Sequence, residues 1–233
     1  MELTRQAFVA GATSALLIPQ VEIAEARTKP ISMLPTSSTR RFAWTVDDGV
    51  SGSALKAYLD IAEHKNQHLT LFVTSGYSSW RNNSKQILRL IKAGKVQLGN
   101  HTVMHKDLTT VSSAVIRKEL QGCHKFLLEE FDYDARPYFR PTYGSWNANL
   151  LKIAAELGYT APITWYGSLG DTGTATQAHI VQQANKWIAN GRILLCHANR
   201  NKAPETLNQI LNIIQTRKLH SVTLKEAFGA NFK

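Results

Sequence analysis

The sequence is poor in cysteine: Cys123 and Cys196 are the only two in 233 residues. Two thiols are too few for a disulfide scaffold or a thiolate metal cluster. No uninterrupted apolar run approaches the ~18 residues that a membrane helix needs. Neither G-x-G-x-x-G nor G-x-x-x-x-G-K-[ST] occurs, so dinucleotide and P-loop readings have no basis. No internal repeat is found and no stretch is low in complexity, which excludes a disordered chain. Acidic residues are scarce as well: 17 stand against 27 Lys and Arg, giving +10 and a pI near 9.7. Such an excess points to nucleic acid, to an anionic surface or to nothing specific. No recognition motif or clustered basic helix accompanies it, so nucleic acid ranks last.

What is present begins with Ala7 to Ile18, twelve residues without charge, followed by Ala24-Glu25-Ala26 with small residues at the two positions a signal peptidase reads. Residues 1–26 therefore resemble a secretory signal, which places the rest outside the cytoplasm. The alternative is an amphipathic N-terminal helix on a cytoplasmic protein. Loss of the segment removes one basic and three acidic residues, so +10 becomes +12. Residues 27–40 read as a polar linker with two prolines, and 41–233 as one domain.

From residue 41 onward short apolar runs alternate with helical periodicity. The runs are Phe42–Val46, Leu69–Val73, Val96–Leu98, Pro137–Arg140, Tyr159–Ile163, Ile193–Cys196 and His220–Val222. Helices are expected at Ser53–Glu63, Ser84–Ala93, Ser113–Phe131, Ala148–Leu157, Gln177–Asn190, Pro204–Arg217 and Leu224–Phe228. Such alternation with buried strands gives an α/β fold, a parallel sheet covered by helices. Seven strands suit a barrel or an open doubly wound sheet, and periodicity does not choose between them.

In such folds chemistry lies at the C-terminal ends of the strands. After the first comes Thr45-Val46-Asp47-Asp48-Gly49. Adjacent carboxylates there repel unless a cation or an Arg absorbs the charge, although Asp-Asp-Gly is also ordinary turn chemistry. After the third comes His101-Thr102-Val103-Met104-His105, whose imidazoles point the same way if the segment is helical. Two His and one carboxylate hold a metal while leaving positions for water and substrate. Arg140-Pro141-Thr142-Tyr143-Gly144 follows the fourth strand, Thr164 to Asp171 the fifth, and His197 the sixth. Together these are the parts of a metal hydrolase. His64 and His68 share the four-residue spacing but fall at the expected opposite rim, with no carboxylate predicted near them. With His124, His179 and His220 they read as surface or helix positions.

These residues resemble the polysaccharide deacetylase family, also called the NodB-homology or carbohydrate esterase family 4 domain, over about residues 41–229. Thr45 to Gly49 resembles its first motif, His101 to His105 the second and Arg140 to Gly144 the third. Trp165 to Asp171 is a looser match to the fourth, and Leu195-Cys196-His197 matches the fifth. The resemblance implies a distorted (β/α)7 barrel. It also implies a metal-dependent hydrolase that removes N-acetyl, or O-acetyl, groups from an amino-sugar polymer or oligomer such as peptidoglycan or a chitin-like glycan. Asp48, His101 and His105 would bind one divalent ion, zinc foremost, with cobalt, nickel or manganese as alternatives. Asp47 would be the general base and His197 the general acid, with Arg140 holding Asp47 and Asp171 setting the pKa of His197. The backbone N–H of Tyr143 would help hold the oxyanion, Leu195 would line the acetyl pocket, and Trp165 would contact substrate.

Departures from the family pattern are Ser168 and Asp171-Thr172 in the fourth motif, Val50 where Pro is usual after the first, and Thr142 in place of a common second Pro in the third. Two alternatives stand beside the main reading: an amidase of this fold acting on a formamide or cyclic imide, and a carbohydrate-binding relative without turnover. The expected partner is an N-acetylated glycan and not nucleic acid, with loose association to an anionic cell envelope and a monomeric state. Cys196, on a buried strand, is expected as a free thiol.

Overall fold

The computed structural model describes residues 27–199, 202–229 and 232; the expected signal segment, 1–26, lies outside the described residues. Eight strands form one sheet: β1 (Arg41–Asp48), β2 (Leu69–Val73), β3 (Val96–Asn100), β4 (Tyr138–Phe139), β5 (Ala161–Pro162), β6 (Gly167–Ser168), β7 (Ile193–His197) and β8 (His220–Val222). Their order is β5-β4-β3-β2-β1-β7-β6, with β8 paired to the start of β1, and every pairing is parallel. The sheet curls into the distorted barrel that the family resemblance implies. All seven expected strands are present. The addition is β6, two residues long and too short to leave a pattern in the sequence.

Helices α1 (Gly52–His64), α2 (Ser79–Asn82), α3 (Ser84–Lys92), α4 (Ser113–Phe131), α5 (Ala148–Glu156), α6 (Gln177–Trp187), α7 (Leu207–Thr216) and α8 (Leu224–Phe228) connect the strands. The side chains of Ser51, Ser112, Asn147, Thr176 and Thr223 accept a backbone N–H three residues on, at the starts of α1, α4, α5, α6 and α8. Each such cap contributes roughly 0.5–2 kcal/mol, which lets a helix begin directly after a loop. None of the described helices is long and apolar enough to cross a membrane.

The core has two layers. Phe42, Trp44 and Val46 of β1 pack with Leu69, Leu71, Val73, Leu194 and Cys196 against the helices. Ala43 packs with Phe72, Tyr138, Ile163, Ile193 and Leu34 in the barrel interior. Side chains alternate along a strand, so the parity that sends Ala43 inward sends Thr45 and Asp47 inward too. Both are buried.

The stretch expected as a linker is partly built into the barrel. Ile31 bridges Ile163 in parallel, next to β5, and Met33 bridges Arg192 antiparallel, next to β7. Backbone bonds from Ile31 N to Pro162 O, Thr164 N to Ile31 O and Leu34 N to Gly191 O are each 2.8 Å. Leu34 is buried. Three or four residues of bridge are too few to show a period, which is why the sequence reads as linker there.

Candidate active site

Asp47 and Asp48 end β1, and the chain turns sharply behind them: Asp48 has φ 72° and Gly49 φ 86°. The turn lies against the Trp80 indole, whose Nε1 donates to Asp48 O and Thr74 O at 3.1 Å each. A Cβ on Gly49 would come within 2.5 Å of that ring, so both the space and the φ call for glycine. Across the barrel, Arg140 follows β4 and is fully buried. Its Nη1 donates to Asp47 Oδ1 at 2.6 Å and to Thr45 Oγ1 at 2.8 Å. Nε and Nη2 donate to Ile163 O and Thr164 O, at 3.3 and 3.1 Å. The guanidinium lies 4.2 Å from the Phe72 ring centroid. A buried charge pair of this kind holds only because each guanidinium nitrogen finds a partner.

The His101–His105 segment is not helical, so the helical condition for aligning its two rings is not what brings them together. It leaves β3 as an irregular loop with positive φ at Thr102 (73°) and His105 (54°), and the two rings converge through that bend, centroids 4.9 Å apart. Two residues outside every motif hold the bend. Asn100 Oδ1 accepts Thr102 N at 2.9 Å, and buried Glu119 of α4 accepts Val103 N and Met104 N through Oε2 at 3.0 and 2.8 Å. A lone Glu in a helix of mixed charge gives no sequence signal for that task. Of the seven non-glycine residues with positive φ among the described residues, Asp48, Thr102, His105 and Tyr143 stand at this rim. Each such conformation costs of order 1–3 kcal/mol, and such strain concentrates at functional sites.

Asp48 Oδ1 stands 3.4 Å from His101 Nε2 and 3.2 Å from His105 Nε2. The oxygen is buried and accepts no hydrogen bond among the described residues. Ligands ~2.0–2.1 Å from a tetrahedral ion stand about 3.4 Å apart, so an orphaned carboxylate oxygen between two imidazoles fits one cation. His101 Nδ1 lies 2.8 Å from Arg140 O, a carbonyl that only accepts, so Nδ1 carries the proton and Nε2 offers its lone pair. Burial alone would raise the Asp48 pKa, but the two imidazoles hold the carboxyl far below the usual range. Burial likewise works to lower that of His101, yet the charges of Asp47 and Asp48 push it up, so the cluster draws positive charge to itself.

Asp171, fully buried behind β6, reaches the end of β7. Its Oδ1 lies 2.8 Å from His197 Nδ1 and its Oδ2 accepts His197 N at 2.8 Å. Burial would lower the His197 pKa, but this bond and the Asp171 charge push it up to about 9. Ser168 Oγ accepts Gly170 N at 3.0 Å and helps turn the chain from β6 toward Asp171. Leu195 is buried on β7. Tyr143, with φ 59°, is 66% exposed, its ring 4.6 Å from that of His105. Half-buried Trp165 lies 5.8 Å from the Arg140 guanidinium.

Two departures from the family pattern each supply a bond that proline would lack. Val50 N donates to Asn199 Oδ1 at 3.3 Å, and Thr142 Oγ1 donates to Lys106 O, tying the Arg140 loop to the His loop. Elsewhere, His68 Nδ1 lies 2.8 Å from Glu226 Oε1, and His64 clusters with Asp60 and Glu63. Both histidines thus have a carboxylate beside them, contrary to the sequence expectation. Asp60 and Glu63 are engaged by Lys56, Gln86 and Arg89. Cys123 and Cys196 are free and buried.

The sequence matches the polysaccharide deacetylase profile over residues 35–162. It is 26% identical over 197 residues to a peptidoglycan-N-acetylglucosamine deacetylase of Listeria monocytogenes, covering 84% of this chain but only 41% of that protein. The fold overlays on the chitin deacetylase of Colletotrichum lindemuthianum with a TM-score of 0.75 at 24% identity, covering 88% and 95% of the two chains. It overlays equally on a CE4 family pseudoenzyme from Bacillus anthracis, with a TM-score of 0.74 at 20% identity, covering 86% and 69%. With the profile spanning more than half of its length, this chain belongs to the polysaccharide deacetylase family.

Proposed function

We propose that the chain is a metal-dependent hydrolase that removes N-acetyl groups from an amino-sugar polymer or oligomer. A pseudoenzyme and a chitin deacetylase overlay on it equally well, so the fold does not decide turnover and the side chains must. The observation that carries the proposal is one rim holding the Asp48–His101–His105 triad between an Asp47–Arg140 pair and an Asp171–His197 pair. A relative that only binds carbohydrate has no use for a carboxylate held by a buried Arg and an imidazole held by a buried Asp on either side of that triad.

Asp48, His101 and His105 would hold a divalent cation, zinc foremost, whose chemistry when bound is Lewis acidity toward water and the amide oxygen. Asp47 spends Oδ1 on Arg140 and turns Oδ2 to within 3.6 Å of His101 Nε2. That second oxygen takes the proton of the attacking water. His197 engages Asp171 through Nδ1, so it delivers its proton from Nε2 to the leaving amine. A pKa near 9 keeps it charged at neutral pH while Asp47, beside a guanidinium, serves as base. The backbone N–H of Tyr143 serves the oxyanion, Leu195 the acetyl methyl, and Trp165 the sugar.

Peptidoglycan and chitin are the polymers acted on by the named relatives and stand first among substrates. An extracytoplasmic location with residues 1–26 as a cleaved signal agrees with such substrates, and +12 favours anionic wall polymers. The test is acetate release from peptidoglycan, chitin oligomers and acetylated xylan, with and without chelator. Release from an amino-sugar substrate that chelator abolishes is expected; none from any substrate in the presence of zinc would overturn the reading.

A further inference from the structure

Asn199 lies two residues beyond His197 and outside every motif, yet its amide is used at both ends. Nδ2 donates to Asp48 Oδ2 at 2.6 Å, and Oδ1 accepts Val50 N at 3.3 Å. The partners fix the amide's orientation, since an ionised carboxylate only accepts and a backbone N–H only donates. The two oxygens of Asp48 are thereby distinguished. Oδ2 is taken by Asn199, while Oδ1 accepts nothing and faces both imidazoles.

We infer that Asn199 is a positioning residue for Asp48, holding Oδ2 so that the carboxylate presents Oδ1 alone to a cation. This rests on the reading of Asp48, His101 and His105 as a metal site. The backbone beneath the amide is tied to the same loop: Ala198 N donates to Asp47 O, and Ser51 N to Ala198 O, both at 3.0 Å. Asn199 therefore stands on a support that moves with β1. The bond from Val50 exists because residue 50 has an N–H to give. The short, charge-assisted contact to Asp48 is stronger than one between neutral groups and sets the plane of the carboxylate. Hydrogen bonds of this kind to ligating carboxylates typically change metal affinity or activity by ~10–100-fold when removed. Asn199 also lines a cleft of about 660 Å³ with Ser51, Thr174 and Lys202. Truncating its amide enlarges that cleft and leaves no closed void.

The test compares Asn199→Ala and the near-isosteric Asn199→Leu with wild type and with His101→Ala. The readouts are zinc affinity by chelator competition, the visible spectrum of the cobalt-loaded protein, and the melting temperature of the metal-free protein. The expected result is zinc affinity ~10–100-fold weaker in both Asn199 variants, with an altered cobalt spectrum and metal-free melting unchanged. Wild-type affinity and spectrum in both, while His101→Ala abolishes binding, would overturn the positioning role and leave the metal site standing. Undiminished zinc binding by His101→Ala would remove the site itself, and the role of Asn199 with it.

Discussion

At the scale of single residues, the site divides two like groups by what surrounds them. Asp47 and Asp48 are neighbours in sequence, yet parity and the left-handed turn send one to Arg140 and the other to two imidazoles. Asp47→Asn keeps the shape and removes the proton acceptor. It should retain stoichiometric metal and lose about 10²–10⁴-fold in kcat/KM, the usual contribution of a positioned base. Metal analysis beside an acetate-release assay checks this, and near wild-type turnover would reject Asp47 as base. His197 allows a pH test. Its pKa is pushed up to about 9, chiefly against burial and by Asp171. The protonated form is therefore present below that value and lost as pH rises through it. A bound cation would pull the value down, but Asp171 still acts upward. Asp171→Asn should accordingly move the alkaline limb of the pH–rate profile to lower pH. A limb that stays in place would mean that His197 is not the acid.

At the scale of elements, most residues that carry chemistry are legible because Asp47, Asp48, His101, Arg140 and His197 end or follow a strand whose buried apolar run is plain, whereas Asp171 follows the two-residue β6. The residues that shape them are not. Glu119 sits in Arg117-Lys118-Glu119, which reads as a solvated helix face, yet the helix turns that one carboxylate inward onto two backbone N–H groups of the His loop. Asn199 likewise reads as loop polarity. The spacing of His101 and His105 gives no hint of how their rings meet, because convergence comes from Thr102 and His105 at positive φ, a conformation that spacing does not announce. Glu119→Ala would orphan the N–H groups of Val103 and Met104, each at a cost of about 1–3 kcal/mol. Glu119→Gln keeps an acceptor oxygen in place. Thermal melts and zinc titrations should therefore show Ala losing both stability and metal affinity, with Gln much closer to wild type. Equal loss in the two would assign the effect to the Glu119 charge and its 3.6 Å contact with Lys106 instead.

At the scale of the whole molecule, β5 and β6 are the two edges of the sheet order, and residues 31–34 span from beside β5 to beside β7. That bridge bears on the site. Thr164 N donates to Ile31 O, and Thr164 O accepts Arg140 Nη2, so the strap steadies one of the carbonyls that hold the guanidinium against Asp47. Three backbone hydrogen bonds are lost if it goes, each about 1 kcal/mol net, together with burial of Leu34 at about 1.5–3 kcal/mol. The chain entropy regained on release offsets part of this. A chain starting at residue 36 should then be less stable than one starting at residue 27 by about 2–4 kcal/mol. For a domain of this size each kcal/mol moves Tm by roughly 2–4 °C, so a fall of about 4–16 °C is expected. Because Arg140 loses a fixed carbonyl, kcat should fall in folded protein well below the new Tm, while zinc affinity, set by Asp48, His101 and His105, to none of which the guanidinium donates, should hold. Equal Tm and kcat in the two chains would make residues 27–40 a linker after all. A fall in Tm without a fall in kcat would show that the strap closes the barrel but does not brace Arg140.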